Sequence, residues 1–75
     1  MQTLTDKQER FVFEYLIDQN ASAAALRAGY SANSYRVQAS QLMANPEVRR
    51  RVKELLEEMY AVIQVSALTL MQERL

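Results

Sequence analysis

The residues of this sequence best suited to chemistry are the mostly polar side chains between positions 31 and 41. They are Ser31, Asn33, Ser34, Arg36, Val37, Ser40 and Gln41. In the major groove of DNA, arginine pairs with guanine, asparagine and glutamine pair with adenine, serine bonds to bases or phosphates, and valine touches the thymine methyl group. On one exposed helix face, these residue types predict contacts to base edges. An ordinary polar outer face would use the same residues, and the sequence leaves that alternative open.

Basic residues concentrate in the middle of the chain, where they would contact phosphates. The chain has no net charge, but residues 27–53 hold six basic residues and one acidic residue, and both flanks carry an acidic excess. The candidates for phosphate contacts are Arg27, Arg49, Arg50, Arg51 and Lys53. Successive helical residues point about 100° apart, so the three adjacent arginines cannot all contact one duplex.

Some of these cations are expected to form ion pairs instead. Spacings of three and four residues on a helix bring opposite charges together. The expected pairs are Glu47 with Arg51, Arg50 with Glu54, and Lys53 with Glu57. A solvated helix of mixed charge explains the pattern as well as a DNA-binding surface does.

Composition excludes most catalytic chemistry. The chain has no cysteine, no histidine and one glycine. Thiol catalysis, serine triads and zinc sites of cysteine or histidine need the missing residues, and phosphate-binding loops need several glycines. We therefore expect no enzyme, cofactor or metal, and interpret Glu54, Glu57 and Glu58 as an exposed acidic surface. Apolar runs are far shorter than a membrane span, so we also expect no transmembrane segment and no signal peptide.

Apolar spacing and the scarcity of helix breakers predict an all-α, compact helical domain of four or five helices. Thr5 and Gln8 have the spacing of a capping box, which places the start of the first helix near Asp6. Asn20 is expected to cap the second helix. The core face of the first helix should hold Phe11, Val12, Tyr15 and Leu16, widened by Phe13 and Ile17.

The centre of the chain predicts a helix-turn-helix unit. An alanine-rich helix should end at Gly29, because glycine adopts positive φ most easily. Ser31 or Ser34 would cap the next helix, which runs to about Ala44 after a turn of three or four residues. The small side chain of Ala25 allows the two helices to cross closely, although alanine-rich propensity followed by a C-cap explains these residues without DNA. The inward face of the second of these helices should hold Tyr35, Ala39, Leu42 and Met43.

Asn45 and Pro46 predict that the third helix ends and a fourth helix begins at once, with asparagine as its cap and proline at its first position. The β-branched residues at 62–65 and a capping serine at 66 predict a bend or break there. The apolar seam of this helix should comprise Val48, Val52, Leu55 or Leu56, Met59 and Ile63. The end of the chain is apolar and predicts a segment that packs against a partner. Its apolar residues are Leu68, Leu70, Met71 and Leu75.

Three separated blocks of the sequence occur in a specific order. They are LTDKQERFVFEYL at 4–16, NASAAALRAGYS at 20–31 and LMANPEV at 42–48. Together they resemble the N-terminal domain of bacteriophage terminase small subunits over about residues 4 to 60. The resemblance implies that the chain recognises the viral packaging site on double-stranded DNA, assembles into a ring-like homo-oligomer and presents DNA to a large subunit with ATPase and nuclease activities, in the host cytoplasm. It also implies that the helix after Gly-Tyr-Ser contacts DNA, which agrees with the choice of residues 33–41 above.

The resemblance also implies a domain division. Members of the family continue into a helical oligomerisation region, so we expect a DNA-binding domain at 1–62 and the start of an oligomerisation segment at 63–75. Ala39 stands where the family commonly has glycine, and Met43 replaces a usual leucine, so helix packing could differ there. Two other functions remain open. A phage or bacterial transcription regulator with this fold would bind a short palindrome as a dimer, and a helical oligomerisation or adaptor module would use the apolar end of the chain.

Overall fold

Four helices make up the described part of the chain. The computed structural model describes the backbone of residues 4–73 and the side chains of residues 4–65. The helices are α1 (Asp6–Asp18), α2 (Ala21–Arg27), α3 (Tyr35–Ala44) and α4 (Pro46–Glu73). No strand occurs within residues 4–73, which confirms the predicted all-α fold. The order of α2, turn and α3 is consistent with a helix-turn-helix.

Local side-chain chemistry sets the start of α1 and of α2. The Thr5 hydroxyl accepts a hydrogen bond from the Gln8 amide at 3.1 Å, and the Gln8 side chain accepts one from the Thr5 amide at 2.9 Å. This confirms the predicted capping box. The Asn20 side chain accepts a hydrogen bond from the Ala23 amide at 3.1 Å, so the predicted cap of α2 is confirmed as well.

Gly29 ends α2 as predicted. Its φ of 103° lies in the region that glycine adopts most easily. The Tyr30 amide donates to the Ala25 carbonyl and the Gly29 amide donates to the Leu26 carbonyl, each at 3.1 Å. These two bonds form a Schellman motif, which satisfies the last carbonyls of the helix.

The core lies where α2 packs against α1 and α3, and where α4 packs against the same two helices. Phe11 and Val12 are fully buried in it, as predicted. The expectation that Phe13 and Ile17 widen this face is wrong, because they are 52% and 72% exposed, and Phe13 lines an open groove between α1 and α4 instead of the core. The buried apolar residues are Leu4, Phe11, Val12, Ala24, Ala25, Ala28, Ala39, Leu42, Val48 and Val52.

The fourth helix begins as predicted but is longer than predicted. Pro46 is its first residue, and the Asn45 side chain accepts a hydrogen bond from the Glu47 amide at 2.9 Å. The expected bend at 62–66 is wrong, because α4 continues to Glu73 without interruption. β-Branched residues lower helix propensity only slightly, and this stretch has no glycine or proline.

Among the side chains of α4 that the structure describes, at residues 46–65, those that pack on the core lie in the first half of the helix. Val48 and Val52 are buried and Leu55 and Leu56 are half-buried, but Met59 and Ile63 are 46% and 59% exposed. The predicted seam is therefore confirmed for its first part only. The apolar side chains expected at Leu68, Leu70, Met71 and Leu75 lie outside the described residues. Within the described residues, no helix has both the length and the apolar composition that a membrane crossing requires.

Candidate nucleic-acid interface

α3 has one face in the core and one face in solvent. Ala39 and Leu42 are buried, and Tyr35 and Met43 are half-buried against the core, as the spacing predicts. On the opposite side, four predicted site residues are exposed, namely Arg36, Val37, Ser40 and Gln41. Val37 is 60% exposed, so an apolar group stands among polar ones on this outer face.

Ser31, Asn33 and Ser34 lie in the turn before α3, not on the helix. The Ser31 carbonyl accepts from the amides of Ser34 and Tyr35 at 3.0 and 2.8 Å, and the Ser31 hydroxyl accepts from the Asn33 amide at 3.2 Å. Of the two expected cap residues, Ser34 and not Ser31 precedes the helix, and the expected turn of three or four residues is wrong, since residues 28–34 separate the helices. Serine hydroxyls that bond to nearby amides compete with helix formation. Ser34 occupies the N-cap position but makes no side-chain cap bond.

An open depression of about 320 Å³ lies at the start of α3. Its lining combines turn residues and the first turn of the helix, namely Ala32, Asn33, Tyr35, Arg36 and Val37. Three of the predicted site residues are therefore brought together at one place. The depression has both polar and apolar walls, which suits the edge of a base with its mixed polar and methyl groups.

Arg27 is held within the fold. Its Nη1 lies 3.2 Å from Asp18 Oδ2, and its Nη2 donates to the Glu14 carbonyl at 2.8 Å. The hydrogen bond from Arg27 lowers the pKa of Asp18, and the same bond raises the pKa of Arg27. The predicted contact of Arg27 with phosphate stays a prediction, and a phosphate would have to compete with these partners.

Cations at the start of α4 pair with carboxylates. Arg50 lies 3.0 Å from Glu47 and 3.1 Å from Glu54, and its hydrogen bond to Glu47 raises the pKa of Arg50. The predicted pair of Arg50 with Glu54 is thus confirmed. The predicted pair of Lys53 with Glu57 is also confirmed, at 4.0 Å.

Arg51 connects α4 to α1. The spacing predicts a pair with Glu47, but the Arg51 Nε lies 3.3 Å from a carboxylate oxygen of Glu9, and its Nη1 lies 3.6 Å from Glu54. Both Glu9 and Arg51 are partly buried. Sequence spacing could not reveal this contact, because 42 positions separate the two residues.

Two of the predicted site cations, Arg36 and Arg49, form no ion pair with the carboxylates of residues 4–65. Both are exposed. Arg49 lies about 200° around α4 from Arg51, so it points away from the contact with α1. Arg36 instead contacts Tyr35, a residue predicted only as core: its Nε donates to the Tyr35 hydroxyl at 3.2 Å, and its guanidinium lies 5.6 Å from the ring centre. Adjacency of tyrosine and arginine was the only signal for this contact in the sequence.

Comparison with known proteins decides the family. The profile of the terminase small subunit family matches residues 4–75. The chain belongs to the terminase small subunit family. The terminase small subunits of Bacillus phage SPP1 and Bacillus phage SF6 are 48% and 45% identical to it over 56 residues, which cover 73% of this chain and 38% and 39% of theirs.

A more distant relative gives the same family. The terminase small subunit of Staphylococcus phage 80alpha is 39% identical over 56 residues, which cover 73% of this chain and 38% of that protein. The resemblance found in the sequence is thus confirmed. The chain spans about two fifths of the length of these terminase small subunits.

Proposed function

We propose that this chain binds double-stranded DNA through the outer face of α3, without catalysis, as the DNA-binding part of a phage terminase small subunit. The DNA is the viral packaging site, and the small subunit presents it to the large subunit with ATPase and nuclease activities, in the host cytoplasm. The observation that supports this most is the outer face of α3. Arg36, Val37, Ser40 and Gln41 are exposed there, while the opposite face packs in the core.

The proposed binding mode places α3 in the major groove, which is wide enough for one helix. In helix-turn-helix proteins the N-terminal residues of the recognition helix contact base edges. Arg36 and Val37 occupy that position in α3. Ser31, Asn33 and Ser34, in the preceding turn, would contact bases or phosphates beside it. Arg49 would contact a phosphate, since it is exposed and unpaired among the described carboxylates.

One copy should bind DNA weakly. Arg27, Arg50 and Lys53 already lie near carboxylates, so few cations are free to replace counterions on DNA. Several copies on one assembly would raise the affinity through effective concentration. A homo-oligomer of the full small subunit is therefore part of the proposal.

An apolar groove supports self-association. It measures about 530 Å³ between α1 and α4 and is lined by Phe13, Leu16, Leu55, Glu58, Met59, Val62 and Ile63. Exposed apolar side chains continue along α4 at Tyr60 and Val65. Because groove and apolar helix belong to the same chain, two copies can bury each other's surface, and we assign a second copy as the occupant. The division into a DNA-binding domain at 1–62 and an oligomerisation segment at 63–75 remains a proposal, because α4 continues across that boundary.

Titration of the ¹⁵N-labelled chain with duplex DNA at two salt concentrations tests this function. We expect chemical-shift changes on residues 31–41 and at Arg49, and loss of binding at the higher salt. Changes confined to α1 would contradict the proposal. Arg36→Ala should weaken binding, and Arg10→Ala, which removes an exposed arginine of α1, is the matched control. An adaptor would show no salt-dependent DNA binding, and a transcription regulator would bind a short palindrome tightly as a dimer.

A further inference from the structure

Tyr35 and Arg36 form a contact pair in the first turn of α3. The Arg36 Nε donates to the Tyr35 hydroxyl at 3.2 Å, and the guanidinium lies 5.6 Å from the centre of the Tyr35 ring. The Tyr35 ring is half-buried and packs against the core, so it provides a fixed support. Arg36 is exposed. The tyrosine therefore holds an otherwise mobile guanidinium in one place on the outer face of α3.

The contact leaves a defined set of donors on Arg36. A guanidinium has five N–H groups, one on Nε and two on each Nη. The Tyr35 hydroxyl uses the Nε group, and no carboxylate of residues 4–65 forms an ion pair with Arg36. Four N–H groups on the two Nη atoms thus remain for a ligand. One from each Nη makes the parallel pair that binds two adjacent acceptors.

Among the bases, guanine fits this pair of donors best. Its major-groove edge presents two acceptors, N7 and O6, whereas adenine presents one acceptor and one donor and cytosine presents a donor. The depression at the start of α3 adjoins Arg36 and leaves space for a base edge. A guanidinium that is already placed also loses less rotamer freedom on binding.

We propose that Arg36 recognises a guanine in the DNA site and that the Tyr35 hydroxyl is what positions it. This inference rests on the proposed function and adds the chemical identity of one base. The Tyr35 hydroxyl makes no hydrogen bond to DNA in this scheme. It acts through Arg36, by fixing which edge of the guanidinium faces the groove.

The test starts from a pool of randomised duplexes bound by the wild-type chain at low salt, which gives the preferred sequence. Affinities are then measured by fluorescence anisotropy on the selected duplex and on two modified forms. Replacing the guanine by 7-deazaguanine removes the N7 acceptor, and replacing it by inosine keeps both major-groove acceptors. We expect 7-deazaguanine to weaken binding by about 5- to 150-fold, the range for a bidentate arginine contact, and inosine to leave it unchanged.

Three variants separate the roles. Arg36→Met keeps the aliphatic part of the side chain but has no N–H donor, so it should bind the guanine duplex and the 7-deazaguanine duplex alike. Tyr35→Phe keeps the ring in the core and removes only the hydroxyl, so it should melt like wild type and lose part of the guanine preference. The Arg36 Nε–H resonance of the free protein should also shift in this variant. Arg49→Met, the matched control, should weaken binding to both duplexes alike and keep the full preference.

The possible negative results contradict different parts of the proposal. If no duplex binds at low salt, the proposed function itself is overturned. If duplexes bind but Arg36→Met keeps the guanine preference, Arg36 does not recognise guanine and DNA binding still stands. If Arg36→Met loses the preference but Tyr35→Phe keeps all of it, the positioning role of Tyr35 is overturned.

Discussion

Arg27 shows how one side chain ties the end of α1 to α2. It contacts both the Asp18 carboxylate and the Glu14 carbonyl, and Asp18 also accepts a hydrogen bond from the Asn20 amide at 3.1 Å. Asp18 therefore joins two neighbouring helices and the cap residue between them. A cation that the sequence suggests for DNA thus has a structural role in the folded chain.

The Asp18 contact predicts a dependence of stability on pH. Arg27 holds the pKa of Asp18 below its ordinary value of 3.8, so the unfolded state binds more protons than the folded state as the pH falls. The stabilisation is present above that ordinary value and is lost as the pH drops through the lowered pKa. Asp18→Asn should have a lower Tm than wild type at pH 7, and the two melting curves should converge in acid. Glu57→Gln, at an exposed pair, should change Tm little; equal Tm values of wild type and Asp18→Asn at pH 7 would contradict this prediction.

At the scale of elements, two left-handed residues end α1 and α2. Gln19 has a φ of 54° and Gly29 a φ of 103°. The left-handed conformation costs a residue with a Cβ about 1–2 kcal/mol, and it costs glycine almost nothing. The left-handed conformation therefore costs little free energy at Gly29 and destabilises the chain at Gln19.

This difference predicts opposite effects of two substitutions. Gln19→Gly should raise the free energy of unfolding by up to about 1 kcal/mol, and Gly29→Ala should lower it by about 1–2 kcal/mol. A Cβ at Gly29 would meet no atom closer than 3.8 Å, so the loss would come from backbone strain and not from a clash. Urea denaturation measures both, and a Gly29→Ala variant as stable as wild type would contradict the role of positive φ.

The crossing of α2 and α3 predicts the effect of a buried charge. Ala25 is fully buried, and an unpaired carboxylate there would cost several kcal/mol, about the whole stability of so small a domain. Ala25→Asp should therefore be unfolded by circular dichroism at 25 °C. Ala32→Asp places the same group at an exposed position and should melt like wild type. A cooperative melt of Ala25→Asp at the wild-type temperature would be inconsistent with this packing.

Helix ends were predictable from the sequence because their chemistry is local. Thr5 with Gln8, Asn20, and Gly29 each act on residues within five positions. The outer face of α3 also followed from helical spacing. The exposure of Phe13 and the pairing of Arg51 with Glu9 did not, because each depends on how distant helices pack. The contact of Arg36 with Tyr35 depends on rotamers, which spacing does not specify.

At the scale of the whole molecule, ion pairing within the fold reduces the positive charge available for the proposed DNA binding. Arg49 is free of ion pairs with the described carboxylates, whereas Arg50 is engaged by Glu47 and Glu54. Arg49→Ala should therefore reduce the slope of log affinity against log salt by about 1. Arg50→Ala should leave that slope nearly unchanged. Equal slopes for wild type and Arg49→Ala would show that Arg49 contacts no phosphate.

The apolar groove predicts an effect on assembly. Ile63→Glu places a charge in the groove that we assign to a second copy, and it should lower self-association measured by sedimentation. Its Tm at low concentration should stay unchanged because Ile63 is exposed. Gln64→Glu adds the same charge at the next exposed position and should have little effect. Loss of self-association in both variants would point to net charge and not to the groove.

Asn45 alone separates α3 from α4, and this short link has a mechanical consequence. Because the linker is so short, α4, with 28 residues and a length of about 42 Å, should move as one rigid body with the helix proposed to enter DNA. Copies bound one turn of the duplex apart would then project α4 from the same side of the DNA, and copies half a turn apart would project it from opposite sides. Periodicity in the nucleotide sequence would thereby become periodicity in the protein assembly.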